Sequence, residues 1–247
     1  MVPLLAPDLQ WKLSFYPMNK FKTRSQQKEI LDRDNIPFLD IEKNMEELNF
    51  INSRLGGHSI TLKGFTGLVK SRKEISVCEI GCGGGDNLQY ISQYCKKKGI
   101  KSLFAGIDIN KDCIAFAEQS SKIGNVNFIV SDYKDVQFTE KPDIIFSSLF
   151  CHHFSDEELI HMLLWMDENS SVGFFINDLH RHPLAYFFIK IATQLFSKSY
   201  LVKNDAPISV LRGFKKNEWK KILKNSGISH YSIQWKWAFR YLIIVPK

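Results

Sequence analysis

The sequence predicts an α/β protein with a doubly wound, mostly parallel sheet. Between residues 75 and 178, short apolar runs alternate with helix-like stretches over short connections. Such alternation is typical of repeated β-α units joined by right-handed crossovers. The first apolar run, residues 75–80, stops at a cluster of glycines and is followed by a helix-like stretch, residues 87–98. Strand, tight turn and helix in this order are typical of the opening of a nucleotide-binding unit.

The individual elements of the sheet follow from the same alternation. We predict strands at residues 75–80, 102–109, 127–131, 143–148 and 172–179, and helices at about 87–98, 111–122 and 156–168. Sheets of this kind bind their ligands at the carboxyl ends of the strands. The candidate site residues are therefore those that directly follow a strand.

The alternation breaks after the fifth strand. Residues 184–196 form a strongly apolar stretch that predicts a helix, and residues 199–207 predict a loop. We interpret the region of about 180–214 as an insertion. The closing elements are a helix that Gly227 ends and a terminal strand pair, at about residues 215–226, 229–237 and 239–245.

The chain divides at about residue 70. Residues 1–70 are predicted to be an N-terminal helical extension, and residues 71–247 the main domain that contains the insertion. The extension either closes over a substrate pocket as a lid or covers one edge of the sheet, and the sequence leaves both readings open. Residues 1–24 show no clear periodicity, and Met18 is an alternative start of the chain.

Within this extension, residues 25–70 are predicted to be helical. Apolar side chains recur at helical spacing over residues 41–55, and Asp40 is a candidate N-cap. The pair Gly56-Gly57 supplies a stop for the first helix. A second helix is expected at about residues 59–70.

Charge, cysteine content and hydropathy restrict the environment of the protein more than its function. The net charge of +7 is compatible with nucleic acid, an anionic membrane surface or an acidic ligand, and it selects none of them. The five cysteines include no Cys-x-x-Cys pair, so we expect a reducing, cytoplasmic compartment rather than a disulfide framework. No stretch reaches the roughly 18 apolar residues of a membrane-spanning helix. Apolar residues form 44% of the chain, which is ample for a buried core.

The glycine turn distinguishes between two kinds of nucleotide cofactor. A dinucleotide-binding turn has the spacing Gly-x-Gly-x-x-Gly, but the position of its third glycine is occupied here by Asp86. The sequence instead has Glu-x-Gly-x-Gly-x-Gly, formed by Glu79, Gly81, Gly83 and Gly85. The backbone N–H groups of such a turn, together with the N-terminus of the next helix, suit a charged ligand.

This turn resembles motif I of the class I S-adenosylmethionine (SAM)-dependent methyltransferases. Further motifs follow in the order found in that family, so the resemblance covers residues 75–180 and, more loosely, residues 215–247. It implies a Rossmann-like sheet of seven strands with helices on both faces. It also implies SAM as the cofactor and S-adenosylhomocysteine as its product.

The resemblance also implies a set of cofactor contacts. An acidic residue after the second strand, Asp108, is expected to accept the ribose hydroxyls, with Ile109 against the adenine. Asp132, after the third strand, is expected to accept from the adenine amino group, although it can equally be a turn cap. The full expected set is Glu79, Gly81, Cys82, Gly83, Gly85, Asp108, Ile109, Asp132, Tyr133 and Ser148.

Histidines after the fourth and fifth strands are the candidate catalytic residues. His152 and His153 precede Ser155, which forms a capping-box pattern with Glu158 and so begins the next helix. One of the pair, or His180, is a candidate general base, because an unperturbed imidazole titrates near neutral pH. A structural histidine bonded to the backbone is the competing reading.

The substrate candidates lie beyond the fifth strand and in the insertion. They are Asp178, Arg181, Ser209 and Arg212. An arginine there suits a carboxylate or an enolate oxygen, although a surface charge is an equally plausible reading. A finer resemblance to bacterial quinone- and polyketide-tailoring methyltransferases implies that residues 184–212 form a lid with an apolar lining.

The function that these features imply is methyl transfer to a small, apolar acceptor. The acceptor is expected to be aromatic, phenolic or polyketide-like, with oxygen favoured over carbon as the methylated atom. The alternatives are a nucleic-acid or protein methyltransferase and a non-catalytic SAM-binding protein. The sequence of residues 147–150, Ser-Ser-Leu-Phe, argues against a nucleic-acid acceptor because it lacks the Asn/Asp-Pro-Pro-aromatic motif of base methyltransferases.

Three further questions concern metal, membrane and oligomeric state. A metal site formed by His152, His153, His180 and His182 is not expected, because adjacent histidines on a turn rarely point at one ion. Peripheral membrane contact through residues 184–196 is an alternative to burial of that helix. The chain is compatible with a monomer or a homodimer.

Overall fold

A computed structural model describes residues 18–33 and 35–247. Residues 1–17, which include most of the segment without periodicity, lie outside these ranges. The strands are β1 (Glu74–Ile80), β2 (Lys101–Asp108), β3 (Val126–Val130), β4 (Ile144–Ser148), β5 (Gly173–Leu179), β6 (Ser232–Lys236) and β7 (Arg240–Pro246). The α-helices are α1 (Phe38–Arg54), α2 (Gly57–Val69), α3 (Asp86–Lys98), α4 (Lys111–Ser120), α5 (Asp156–Asn169), α6 (Pro183–Phe196), α7 (Tyr200–Arg212) and α8 (Lys216–Asn225).

The strands form one seven-stranded sheet in the order β3-β2-β1-β4-β5-β7-β6. The pairs among β1 to β5 are parallel, and β7 runs antiparallel to both β5 and β6. The predicted doubly wound, mostly parallel sheet is therefore confirmed. Strand order reverses between β1 and β4, and ligand crevices form at such switch points.

Helices cover both faces of the sheet. On one face, α5 and α8 bury Leu163 and Trp219 against apolar side chains of the central strands. On the other face, α2 and α3 bury Phe65 and Leu88. All four of these side chains are fully buried. The central strands between the two helix layers have mainly apolar sequences, because helices cover both faces of a parallel sheet.

The capping box before α5 forms as the sequence indicates. The Ser155 hydroxyl accepts from the backbone N–H of Glu158, and the Glu158 carboxylate accepts from the N–H of Ser155. This cap starts α5 directly after a short 3₁₀ turn, Cys151–His153. The two adjacent histidines are thereby held between β4 and α5, at the carboxyl edge of the sheet.

The loop predicted at residues 199–207 is wrong, because this segment begins helix α7. Ser199 caps the helix by accepting from the N–H of Val202, and Pro207 lies inside it. An interior proline removes one helical hydrogen bond and normally disfavours a helix. Burial of Leu201 and Ile208 offsets this cost, so tertiary packing outweighs the local turn signals of the sequence.

The N-terminal extension is less helical than predicted. The described residues between 25 and 37 form no helix, and α1 begins at Phe38 after the N-cap residue Pro37, so Asp40 is not the cap. Residues 22–33, which we call the N-terminal strap, lie against α7. Asp205 in α7 accepts from the backbone N–H groups of Ile30 and Leu31. The strap brings charged residues to the carboxyl edge of the sheet.

Candidate functional site

A cleft of about 1050 Å³ opens at the carboxyl ends of β1, β2 and β4. Its walls are the glycine turn after β1, the end of β2 with the start of α4, part of α1 and the turn after β4. Of the residues expected to contact a cofactor, the cleft brings together Glu79, Gly81, Cys82, Gly83, Gly85, Asp108, Ile109 and Ser148. Asp132 and Tyr133 are not part of its lining.

The glycine turn is shaped by its neighbours on both sides. The backbone N–H groups of Gly81 and Cys82 donate to the carbonyl oxygen of Ile107, at 2.8 and 3.1 Å. Gly81 has φ of 66°, and a Cβ there would lie 2.2 Å from the ring of Phe150. Glycine is therefore required by both the backbone conformation and the close approach of the ring.

The Glu79 carboxyl group is buried at the base of this turn. Oε1 accepts from Asn87 Nδ2 at 3.0 Å, whereas Oε2 is buried without a hydrogen-bond partner among the described residues. Burial, with a smaller effect of Asp86, raises the pKa of Glu79 well above its usual value. A buried carboxyl oxygen that lacks a partner is costly, and a cationic group in the cleft would supply the missing contact.

Asp108 at the end of β2 faces the same cleft. Its Oδ2 accepts from the N–H of Gly83 and its Oδ1 from the N–H of Asn110, each at 2.9 Å. Each carboxylate oxygen has a second acceptor position, so both can still accept from ligand hydroxyls. Ile109, the next residue, is 72% exposed on the cleft wall. This large exposed apolar side chain is suited to cover a flat ring.

Asp132 and Tyr133 have other roles in the structure. The Asp132 side chain caps a 3₁₀ turn by accepting from the N–H of Lys134 at 3.1 Å. Tyr133 is buried in the core, where its ring packs edge-on against Trp165. The contacts of Asp132 are therefore those of a turn cap. Tyr133 lies in the core and does not line the cleft.

A smaller, mainly apolar cavity of about 130 Å³ adjoins the cleft. Leu48, Asn52 and Leu149 line both spaces, so the two share a wall. The remaining lining comes from α1, α6, α7 and the β6–β7 turn, together with His152. Helices α6 and α7 belong to the predicted insertion, which therefore supplies much of an apolar lining next to the cleft.

The two histidines after β4 lie at the boundary between these spaces. His153 lines the cleft and His152 lines the cavity. His152 Nδ1 is 2.8 Å from Asp178 Oδ1, and its Nε2 is 3.5 Å from Glu29 Oε1. Burial lowers the pKa of His152, but the Asp178 and Glu29 carboxylates outweigh it and raise this pKa to about 9. His152 is therefore protonated at neutral pH in this arrangement, unlike a general base.

The other substrate candidates support the backbone of the site. Arg212 is buried, and its guanidinium donates to the carbonyl oxygens of His152 and His153 at 3.0 and 2.7 Å. Ser209 donates to Glu29 Oε1 at 2.7 Å. Asp178 is fully buried and holds His152. These groups position the histidines, and the contact of Arg212 with a substrate stays a prediction.

Arg181 and His180 lie on the far side of β5 from the cleft lining. Arg181 is buried and donates to backbone carbonyl oxygens and to Glu218. His180 Nδ1 accepts from Trp235 Nε1 at 3.2 Å. Burial and the nearby His182 lower the pKa of His180 to about 4. Neither residue lines the cleft or the cavity, so both have contacts of a structural kind.

Helix α6 exposes an apolar stripe on its outer face. Its members are Leu184, Phe187, Phe188, Ile191, Leu195 and Phe196, with exposed fractions from 42% to 82%. Among residues 18–33 and 35–247, no helix has the length and apolarity needed to cross a membrane. Peripheral membrane contact of this helix stays a prediction.

Comparison with known proteins identifies the family. A family model described as "Methyltransferase domain" matches residues 71–227. The chain belongs to this methyltransferase family. It is also 28% identical over 122 residues to a mitochondrial ubiquinone biosynthesis O-methyltransferase of Saccharomyces cerevisiae. That match covers 47% of this chain and only 37% of the yeast protein.

Solved structures of methyltransferases share the fold. The plantazolicin methyltransferase BpumL in complex with SAH has a TM-score of 0.61 at 18% identity, over 85% of this chain and 96% of that one. A SAM-dependent methyltransferase from Aquifex aeolicus has a TM-score of 0.61 at 16% identity, over 86% and 99% of the two chains. The predicted class I methyltransferase fold is thereby confirmed.

The N-terminal strap adds residues that lie outside the matched family model. Glu29 is buried against His152, and Asp32 Oδ1 is 3.1 Å from His153 Nδ1. Sequence reasoning missed both carboxylates, because the strap has no motif and was predicted to be helical. Only the contact with α7 brings them to this methyltransferase site.

Proposed function

We propose that the protein is a SAM-dependent methyltransferase that methylates an oxygen of a small, apolar, aromatic or phenolic acceptor. The observation that carries the cofactor assignment is the pair of acidic residues on either side of the glycine turn, of which Glu79 is fully buried and Asp108 is half-buried. Glu79 has a carboxyl oxygen without a hydrogen-bond partner in the described part of the chain, which suits the ammonium group of SAM. Asp108 suits the ribose hydroxyls, because its oxygens already accept only one N–H each.

The proposed acceptor site is the apolar cavity beside the cleft. A cavity of about 150 Å³ lined by apolar side chains holds one benzene ring, and this cavity is about 130 Å³. A single aromatic ring therefore suits it better than a large polar acceptor. The relatives named above differ in the acceptors that their names indicate, and fold alone does not fix the acceptor.

In the proposed reaction, the residues of this chain bind and orient both partners. When bound, SAM supplies an electrophilic methyl group on its sulfonium sulfur. Glu79 would hold the ammonium group at the amino-acid end of the cofactor and Asp108 its ribose, with Ile109 covering the adenine. Leu149, on the wall shared by cleft and cavity, orients the acceptor ring. Such positioning supplies a large part of the rate of an in-line transfer.

Calorimetry with SAM and, separately, with NADH tests the cofactor assignment. We expect micromolar binding of SAM and no binding of NADH, because the turn lacks the dinucleotide spacing. Binding of neither compound by the folded protein would contradict the proposed cofactor. Transfer of labelled methyl groups to a panel of phenols and quinols, with the product linkage determined, then tests the acceptor and the methylated atom.

Filling the cavity is expected to separate acceptor binding from cofactor binding. Ala185 is buried on α6 and lines the cavity. We expect Ala185→Leu to lower kcat/KM for an aromatic acceptor roughly tenfold or more, with the Kd of SAM unchanged. Ala192→Leu is the matched control, since Ala192 lies on the same helix but not in the cavity lining. Equal effects of both variants would contradict the acceptor site.

A further inference from the structure

Two histidines on the turn after β4 meet one carboxylate of the N-terminal strap. Glu29, His152 and His153 each offer a ligand atom, and these atoms lie within 4.8 Å of one another. His152 Nε2 is 3.5 Å from Glu29 Oε1, and His153 Nε2 is 3.9 Å from Glu29 Oε2. Tetrahedral bonds of about 2.0–2.1 Å place ligand atoms roughly 3.3–3.4 Å apart. The two observed distances, 3.5 and 3.9 Å, end on different oxygens of Glu29 and are longer than this spacing, so the side chains would close slightly around an ion.

The second ring nitrogen of each histidine, Nδ1, also contacts a carboxylate, and this supports a metal site independently of the Nε2 distances. His152 Nδ1 is 2.8 Å from Asp178, and His153 Nδ1 is 3.1 Å from Asp32. In metal sites, the histidine nitrogen that does not bind the ion commonly donates to a carboxylate, which fixes the ring and its tautomer. Both histidines have this arrangement, and both turn their Nε2 atoms toward the same carboxylate.

We propose that Glu29, His152 and His153 bind a divalent transition metal ion. A set of two imidazoles and one carboxylate suits Fe²⁺, Co²⁺ or Zn²⁺ and is a poor match for Mg²⁺ or Ca²⁺, which prefer oxygen ligands. The charge is also balanced. Glu29 and Asp178 are both buried carboxylates, and a divalent cation that displaces the proton of His152 would compensate them.

The surrounding structure holds these ligands in place. Arg212 donates to the backbone carbonyl oxygens of both histidines and thereby holds the 3₁₀ turn that carries them in place. Ser209 donates to Glu29 Oε1 at 2.7 Å. Asp205 anchors the strap next to Glu29 through two backbone N–H groups. All three of these supporting residues come from α7.

The three ligands leave a coordination position for a further group. Because His153 lines the cleft and His152 the cavity, this position lies between the proposed cofactor and acceptor sites. An anionic oxygen of a phenolic or enolic acceptor is the ligand that this position suits, since a bound metal ion favours the deprotonated form. This last assignment rests on the proposed function, whereas the metal site does not.

The metal site is tested by Co²⁺ titration of the full-length protein after treatment with a chelator. Visible absorption of Co²⁺ reports its ligands and geometry, and Zn²⁺ is then added as a competitor. We expect one Co²⁺ per chain with a low-symmetry spectrum, displaced by one equivalent of Zn²⁺. SAM binding is measured on the same metal-free protein, so failure of the metal site and failure of the proposed function are separate results.

Variants assign the ligands. His153→Gln and Glu29→Gln are expected to weaken Co²⁺ binding by at least about 100-fold, and Asp32→Asn, as a positioning residue, by about 10–100-fold with an altered spectrum. His153 is preferred to His152 because it is partly exposed, with 22% of its side chain accessible. His161→Gln, on the exposed surface of α5, is the matched control and is expected to bind Co²⁺ as the unaltered protein does.

Two results would overturn the metal site. The first is a folded protein that binds no Co²⁺ or Zn²⁺ at micromolar concentrations, which would make the cluster a set of ion pairs. The second is equal Co²⁺ affinity in His153→Gln, Glu29→Gln and His161→Gln, which would place the ion elsewhere. Circular dichroism of each variant establishes that the fold is retained.

Discussion

Asp108→Ala is expected to abolish SAM binding, with at least a 100-fold increase in Kd measured by calorimetry. Hydrogen bonds to a charged group contribute about 1.5–3 kcal/mol each, so the loss of two ribose hydroxyl contacts exceeds the roughly 1.4 kcal/mol of a tenfold change. The substitution also removes the acceptor of the Gly83 N–H. The glycine turn would then lose part of its support as well.

Asp132→Ala is the matched control for this prediction. Asp108 ends β2 and Asp132 comes two residues after β3, and both were expected to contact the cofactor, but Asp132 caps a 3₁₀ turn outside the cleft lining. We expect its removal to cost about 1 kcal/mol of stability, as for other caps, and to change the Kd of SAM less than threefold. The reverse pattern, with Asp132 essential and Asp108 dispensable, would show that the ribose assignment is wrong.

Arg181→Ala is expected to lower the free energy of unfolding by about 3–5 kcal/mol, measured by urea denaturation. The guanidinium is 1% exposed. It donates to the carbonyl oxygens of Phe21, Lys22 and Gly213, and to Glu218 Oε1 at 2.5 Å. Alanine would leave the carbonyl oxygens of the buried residues Phe21 and Gly213 without this donor, and unpaired buried acceptors are costly.

A control substitution and a measurement of SAM binding distinguish a structural role of Arg181 from a substrate contact. Arg72→Ala changes an exposed arginine between α2 and β1 and is expected to alter stability by less than about 0.5 kcal/mol. The folded fraction of Arg181→Ala is expected to bind SAM normally, since the residue does not line the cleft. Unchanged stability with lost turnover would instead support the substrate contact that the sequence indicates.

Much of the fold could be predicted because its signals are local. Each strand from β1 to β5 is a short run with several apolar residues, and the predicted bounds differ from the observed ones by one residue at most. Helix α7 was missed for a physical reason. Its sequence contains turn-forming residues and Pro207, and only burial of its apolar side chains against the rest of the domain makes it helical.

The residues of the candidate site likewise include some that could be predicted from the sequence and some that could not. The cleft residues Glu79 and Asp108 could be predicted because they are among the last two residues of β1 and β2, and the carboxyl ends of parallel strands meet at one edge of the sheet. Asp178 lies near the end of β5 and Arg181 lies two residues beyond it, but neither side chain lines the cleft. Position along a strand thus places a residue at the edge of the sheet without giving the direction of its side chain.

By itself, the sequence determined the doubly wound sheet, the glycine turn and the acidic residue at the end of β2, because periodicity and spacing act over a few neighbouring residues. The tertiary structure alone decided that Glu29 and Asp32 meet His152 and His153. The strap is held to α7 by hydrogen bonds between residues that are distant in the chain. No local sequence pattern predicts such a contact. The cleft therefore follows from the order of the motifs, whereas the histidine–carboxylate cluster follows from packing.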